Sequence, residues 1–120
     1  MLKFGSALLV ATVVAFGSTG AASAASAFDG QWSVVIQTTR GSCDQALRVG
    51  LSIVNGNVTY AGGSAEARGR VARNGSVHVR VSSGSSYADG HGRLSRSSGS
   101  GTWHGVGSSV CSGRWYAERR

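Results

Sequence analysis

The sequence predicts an all-β fold, a small antiparallel barrel of eight strands that carries one disulfide bond. Three observations predict it. Short runs of β-branched and aromatic residues alternate with small or polar residues at a period of two. Turn signals separate these runs at intervals of about 8 to 12 residues, and the strongest hairpin signals are Asn55-Gly56 and Asn74-Gly75. The chain contains no proline, so no run is interrupted by a residue that strands exclude.

Residues 1–27 are predicted to form a signal peptide. A positive charge precedes an apolar run over 4–16, and small residues then lead to two Ala-x-Ala sites, so cleavage is expected after Ala24 or Ala27. The apolar run is too short for a transmembrane helix, which needs about 20 residues. We therefore expect 28–120 to be one exported domain, periplasmic or extracellular, without a transmembrane segment.

The turn signals divide the exported part into eight predicted strands. They cover residues 31–38, 45–54, 57–61, 65–72, 76–82, 87–95, 100–106 and 110–118. The connections are short, so each strand is expected to pair antiparallel with the next, and the last with the first. The alternative is a sandwich of two sheets.

The chain has two cysteines, Cys43 in the first turn and Cys111 at the start of the eighth strand. In a meander barrel alternate turns lie at the same end, so both residues are expected at one rim. Export places them where disulfides persist. A Cys43–Cys111 bridge is therefore predicted.

Alternation also predicts which residues point into the barrel. The large ones are Trp32, Val34, Ile36, Leu47, Val49, Leu51, Ile53, Val58, Tyr60, Val71, Val77, Val79, Val81, Leu94, Trp103 and Trp115. The small ones are Gly69, Ala88, Gly90, Gly92, Gly101, Gly113 and Ala117. Small eight-stranded barrels are either filled by side chains or hold one small ligand. The small residues fit both cases, because they let strands bend closely and they leave room for a ligand.

The two ends of the domain resemble the calycin pattern of lipocalin-like, avidin-like and small exported metalloprotease-inhibitor barrels. The chain has Phe-Asp-Gly-Gln-Trp at 28–32, with Gly-x-Trp at the start of the first strand, and Arg114-Trp115 in the last strand. This resemblance implies that Trp32 plugs the base of the barrel and that Arg114 or Arg119 lies across it.

The chain as a whole looks like the small uncharacterised secreted proteins of alphaproteobacteria. These share a Phe-Asp-Gly-x-Trp opening, here 28–32, and a Cys-Ser-Gly-x-Trp-x-x-x-Arg ending, here 111–119. This second resemblance implies secretion and identifies no activity.

Residues 28–120 are strongly basic, with eleven arginines against five carboxylates and a net charge of +6 when the histidines are neutral. Four arginines are expected to point outward on three neighbouring strands: Arg68, Arg70, Arg80 and Arg93. Clustered guanidinium groups suit an anionic surface glycan or lipid. The alternative is a solvated face that resists aggregation. DNA is not expected as a partner, because export separates the chain from it.

His78, His91 and His104 are spaced 13 residues apart on three consecutive predicted strands, with the same outward parity. Even turns would place His91 opposite His104 and within one residue of facing His78. Imidazoles on strands about 4.8 Å apart can share a divalent metal or offer an axial ligand to haem. The alternative is three surface histidines without a joint role, and no cofactor is then needed.

No catalytic centre is predicted. The chain lacks a Gly-x-Ser-x-Gly elbow, and both cysteines are expected in the disulfide. Asp89 shares a strand face with His91 and Arg93, which is typical of a surface ion pair.

The sequence therefore favours a non-enzymatic binding protein, with haem or metal capture and protease inhibition as alternatives. The ligand would be an anionic glycan or lipid outside the barrel, or a small apolar molecule at the rim. The turns at 40–44, 62–64, 83–86 and 105–109 are the rim candidates.

Overall fold

The structure is a computed structural model that describes residues 26–60 and 65–120. Residues 1–25, and with them nearly all of the predicted signal peptide, lie outside the described part. The described residues form eight strands: β1 Gly30–Arg40, β2 Ala46–Val54, β3 Asn57–Tyr60, β4 Glu66–Val71, β5 Ser76–Ser83, β6 Ser86–Leu94, β7 Ser98–Val106 and β8 Cys111–Arg119.

The eight strands form a closed barrel in which each strand pairs antiparallel with the next along the chain. β8 closes the barrel by pairing with β1, with Trp32 opposite Arg119 and Ile36 opposite Trp115. The predicted meander barrel is confirmed, and the sandwich alternative is wrong. The strand ends agree with the sequence-based ones to within two residues.

The β2–β3 hairpin turns on Asn55-Gly56, whose φ angles are 52° and 79°. Both lie in the left-handed region, as a two-residue hairpin turn requires. The Asp29 carboxylate accepts hydrogen bonds from the backbone N–H groups of Asn55, at 2.7 Å, and Gly56, at 3.0 Å. A hydrogen bond from the Ser26 hydroxyl, and then these two, lower the pKa of Asp29. The segment before β1 is thereby fixed to the hairpin.

A disulfide bond joins Cys43 to Cys111, with the Cα atoms 6.2 Å apart. It connects the β1–β2 turn to the first residue of β8, which is where the barrel closes on itself. The predicted bridge is confirmed, and both of its residues lie at one rim. We refer to this end as the disulfide end and to the opposite end as the base.

The base is closed by Trp32, which is only 1% exposed. The Arg119 guanidinium carbon lies 4.9 Å from the centre of the Trp32 ring. The same guanidinium donates hydrogen bonds to the backbone carbonyl groups of Ala27 at 2.6 Å, Arg96 at 2.7 Å and Asp29. Arg119 thus ties the chain before β1 and the β6–β7 turn to the end of β8.

Arg119, and not Arg114, is the basic residue that lies across Trp32. Arg114 is exposed on the outer face of β8, where it pairs with Gln37 on one side and Thr102 on the other. The assignment of Arg114 to the base is wrong because side chains alternate along a strand. Trp115 points inward, so Arg114 points out and Arg119 points in.

Candidate functional site

The interior of the barrel contains a cavity of about 360 Å³. Small-molecule sites typically measure about 300 to 1,000 Å³, so the cavity is large enough for one small ligand. Its lining residues come from β1 to β3, β5 to β8 and the residue before β4: Trp32, Val34, Ile36, Leu47, Val49, Leu51, Ile53, Val58, Tyr60, Ala65, Val77, Val79, Val81, Ala88, Gly90, Leu94, Trp103, Trp115 and Ala117.

The described lining residues are buried at the base and become exposed toward the disulfide end. Trp32, Ile53 and Leu94 are at most 6% exposed, whereas Leu47 is 51% exposed. Tyr60 and Trp103, also near the disulfide end, are partly exposed. The cavity is therefore a cup whose floor is the base and whose mouth lies beside the disulfide.

The lining is apolar, and its indole N–H groups already have partners. Each tryptophan donates to a backbone carbonyl: Trp32 to Phe28 at 2.8 Å, Trp103 to Gln37 at 3.0 Å and Trp115 to His91 at 3.2 Å. The Tyr60 hydroxyl adds one polar group. Among the described residues of the lining, none is charged. Burying an ion there would cost several kcal/mol without a partner, so the cup suits a neutral apolar molecule.

Some of the small inward residues allow close packing, and others leave room in the cavity. The ring of Trp115 lies against Gly92 and Gly101, and the Trp103 indole lies against Gly113, where any Cβ would clash. In contrast, a Cβ on Gly90 would make only ordinary contacts. Gly90 and Ala88 line the cavity. Glycines in β6, β7 and β8 therefore seat two tryptophans, while two other small residues leave the cavity open.

Three of the four predicted rim turns surround the mouth. These are the connections at 41–45, 84–85 and 107–110, which alternate with the base turns along the meander. The fourth predicted turn, at 62–64, lies within residues 61–64, which are outside the described part of the chain.

Asp89, on the outer face of β6, is held by Arg80. Two nitrogens of Arg80 donate to the two Asp89 oxygens, each at 2.8 Å, and Asp89 is only 7% exposed. These hydrogen bonds, more than any other contact, lower the pKa of Asp89 to about 2. Arg80 also lies 4.3 Å from the centre of the Tyr87 ring. This geometry is that of a fixed ion pair, and the charge of Arg80 is already neutralised.

Two of the three histidines face each other as predicted, and the third does not join them. His78 on β5 faces His91 on β6, and the rings stack with centres 4.4 Å apart and planes 8° apart. His91 faces Thr102 on β7, whereas His104 faces Asp89. The predicted pairing of His91 with His104 is therefore wrong.

The His78 and His91 rings are stacked and are not turned toward one shared point. A metal lies in the plane of each imidazole that binds it, and two nearly parallel planes do not meet near the rings. Within residues 26–60 and 65–120, no three His, Cys, Asp or Glu side chains are grouped to hold a metal ion. A shared metal would need the two rings to turn out of the stack, whereas an axial ligand for haem needs only one exposed histidine, and both hypotheses stay predictions.

The other predicted anion-binding arginines are exposed on the outer face. Arg70 lies opposite His78, Arg68 lies opposite Arg80, and Arg93 lies between Ser76 and Ser100. Arg80 and His78, both beside Asp89, are the only basic side chains within salt-bridge distance of a carboxylate in the described part of the chain. Arg68, Arg70 and Arg93 thus keep their charge free for other partners.

No protein family, curated protein or solved structure matches this chain. No helix in the described ranges has the length and apolar character needed to cross a membrane.

Proposed function

We propose that this chain is an exported, non-enzymatic binding protein whose barrel holds one small, neutral, apolar molecule. The observation that carries the proposal is the apolar cavity of about 360 Å³ inside a barrel that is closed at one end. The disulfide supports export, since such bonds persist in oxidising compartments.

The shape and chemistry of the cup define the ligand class. The base, sealed by Trp32 and Arg119, leaves the disulfide end as the way in. A ligand with a chain or ring of apolar atoms would contact valines, leucines and tryptophans on all sides. A charged headgroup would have to stay at the mouth, because no described lining residue is charged.

The first test is binding of the fluorescent apolar probe N-phenyl-1-naphthylamine to the purified exported protein. We expect saturable binding, detected by energy transfer from Trp103 and Trp115, which line the cavity. Decanol should displace the probe at concentrations roughly tenfold lower than decanoate, because the carboxylate resists entry.

Two variants locate the probe. Ala88→Phe and Val79→Phe each place a ring in the cavity and should weaken binding by about tenfold or more. Thr102→Phe is the matched control, since Thr102 is exposed on the outer face of β7. Equal binding by all three variants, or no saturable binding by the parent protein, would contradict the proposal. Thermal melting of each variant confirms that it is folded.

The contacts of Ser26 and Ala27 favour one of the two predicted cleavage sites. The Ala27 carbonyl accepts a hydrogen bond from Arg119, and the Ser26 hydroxyl accepts one from the backbone N–H of Phe28. Cleavage after Ala27 would remove both acceptors, so we expect cleavage after Ala24. Mass spectrometry of protein from its native compartment should show Ala25 as the first residue.

A pair of variants tests this assignment, because signal peptidase requires a small residue before the cut. Ala24→Tyr should block cleavage after residue 24, whereas Ala27→Tyr should leave that cleavage unchanged. A mature chain that begins at Phe28 would contradict the assignment.

A further inference from the structure

We propose that a groove on the outside of the barrel, lined by Arg70, Arg73, His78 and His91, binds a phosphate group. The groove lies beside the β4–β5 hairpin and has a volume of about 790 Å³. Its lining overlaps that of the interior cup at Val77 alone. We refer to it as the outer groove.

The outer groove gathers positive charge without a carboxylate of its own. Its described lining contains two arginines and two histidines but no acidic residue. Arg70 donates one hydrogen bond to the Asn57 side chain, at 3.2 Å, and its charge has no acidic partner among the described residues. Concentrated cations in a concave surface attract and hold anions.

The acids nearest to the outer groove are already engaged. Asp89 lies 3.6 Å from His78, and both of its oxygens accept hydrogen bonds from Arg80. Asp29, near the Asn55 end of the groove, accepts the backbone N–H groups of the β2–β3 turn. Neither carboxylate is free to pair with Arg70 or Arg73, so an anion from solution would supply the missing charge.

The stacked imidazoles add a dependence on pH. Histidine is the side chain whose charge ordinarily changes between about pH 5 and 8. Two protonated rings with centres 4.4 Å apart repel each other, and Arg70 faces His78 from the neighbouring strand. A bound anion offsets this repulsion. Binding should therefore strengthen as the pH falls. Asp89, 3.6 Å from His78, opposes this repulsion in part, but both of its oxygens already accept hydrogen bonds from Arg80. Arg93 and His104 are not among the lining residues of the groove.

Phosphate matches this set of donors better than a carboxylate does. Two guanidinium groups and two imidazoles present several N–H donors around one concave site, together with the hydroxyl of Ser76. A phosphate group offers more acceptor oxygens and more charge than one carboxylate, and arginine binds it with paired hydrogen bonds. The phosphate can belong to a lipid headgroup or to a soluble compound.

The test is a titration of the exported protein with inorganic phosphate, inorganic sulfate and phosphatidylcholine vesicles that contain phosphatidic acid. Sulfate keeps its charge over this pH range, so it isolates the contribution of the protein. NMR signals of the His78 and His91 rings should shift on binding. We expect the affinity for sulfate at about pH 5.5 to exceed that at about pH 7.5 by roughly tenfold. Saturation by inorganic phosphate alone indicates a soluble ligand, and binding only to vesicles indicates a headgroup.

Matched variants distinguish binding in the outer groove from nonspecific attraction of anions to the positively charged protein. Arg70→Gln with Arg73→Gln should weaken binding roughly tenfold, whereas Arg40→Gln with Arg48→Gln, which removes the same charge from exposed positions on β1 and β2, should change it little. His78→Gln with His91→Gln should abolish the gain at acidic pH, and His104→Gln should retain it. Equal losses for the two arginine pairs, or no binding of any probe at acidic pH, would overturn the proposal.

Discussion

Replacement of both cysteines, Cys43→Ala with Cys111→Ala, is expected to lower the free energy of unfolding by about 4 kcal/mol. The bridge spans 68 residues, and a loop of that length loses roughly this much unfolded-state entropy when it is closed. Domains of this size are typically stable by only about 5 to 15 kcal/mol, so the loss is a large share of the total. Denaturant titration of the two proteins measures it directly.

Alanine is preferred to serine in this test because Cys111 is 2% exposed, and a buried hydroxyl would add a separate cost. Chemical reduction of the parent protein provides an independent comparison and should destabilise it by a similar amount. Unchanged unfolding midpoints in both cases would show that the β1–β8 pairing closes the barrel without help from the bridge.

The strands and the disulfide could be predicted because local signals decide them. Asn55-Gly56 and Asn74-Gly75 fix two turns, and alternation fixes the face on which each residue lies. Position in the meander then brings Cys43 and Cys111 to one end. The turns and faces need only residues near each other in sequence, and the 68-residue disulfide then follows from the order of the strands in a closed meander.

The register of the histidines could not be predicted in the same way. Alternation specifies the pairing of two strands only to within a shift of two residues, because such a shift leaves every side chain on the same face. His91 pairs with Thr102, two positions from the predicted His104. The exact length of the β6–β7 turn, at 95–97, decides this pairing, and its serines give no clear turn signal.

The cavity could not be predicted either, although its residues could. The inward list from the sequence contains most of the lining, yet alternation carries no information about the radius of the barrel or the empty volume inside it. The resemblance left the choice between Arg114 and Arg119 open. Parity decides between them, because Arg119 shares the inward parity of Trp115 whereas Arg114 points outward.

The base should prove as important to stability as the bridge. Trp32→Ala is expected to lower the free energy of unfolding by about 3 to 5 kcal/mol, the usual cost of removing a large buried aromatic side chain. Trp32 is 1% exposed. Its loss would remove the aromatic ring that the Arg119 guanidinium contacts and would open the base of the cavity. Chemical unfolding, followed by the fluorescence of the two remaining tryptophans, measures the change.

Two comparison variants assign this loss to the closed base. Trp103→Ala removes the same side chain from the partly exposed mouth and should cost less than half as much, because fewer contacts disappear. Trp32→Phe keeps most of the packing and removes the hydrogen bond to Phe28, so it should cost about 1 kcal/mol beyond the lost ring area. Equal losses at Trp32 and Trp103 would mean that the two ends of the barrel contribute equally to the free energy of unfolding. The base would then have no special role in stability.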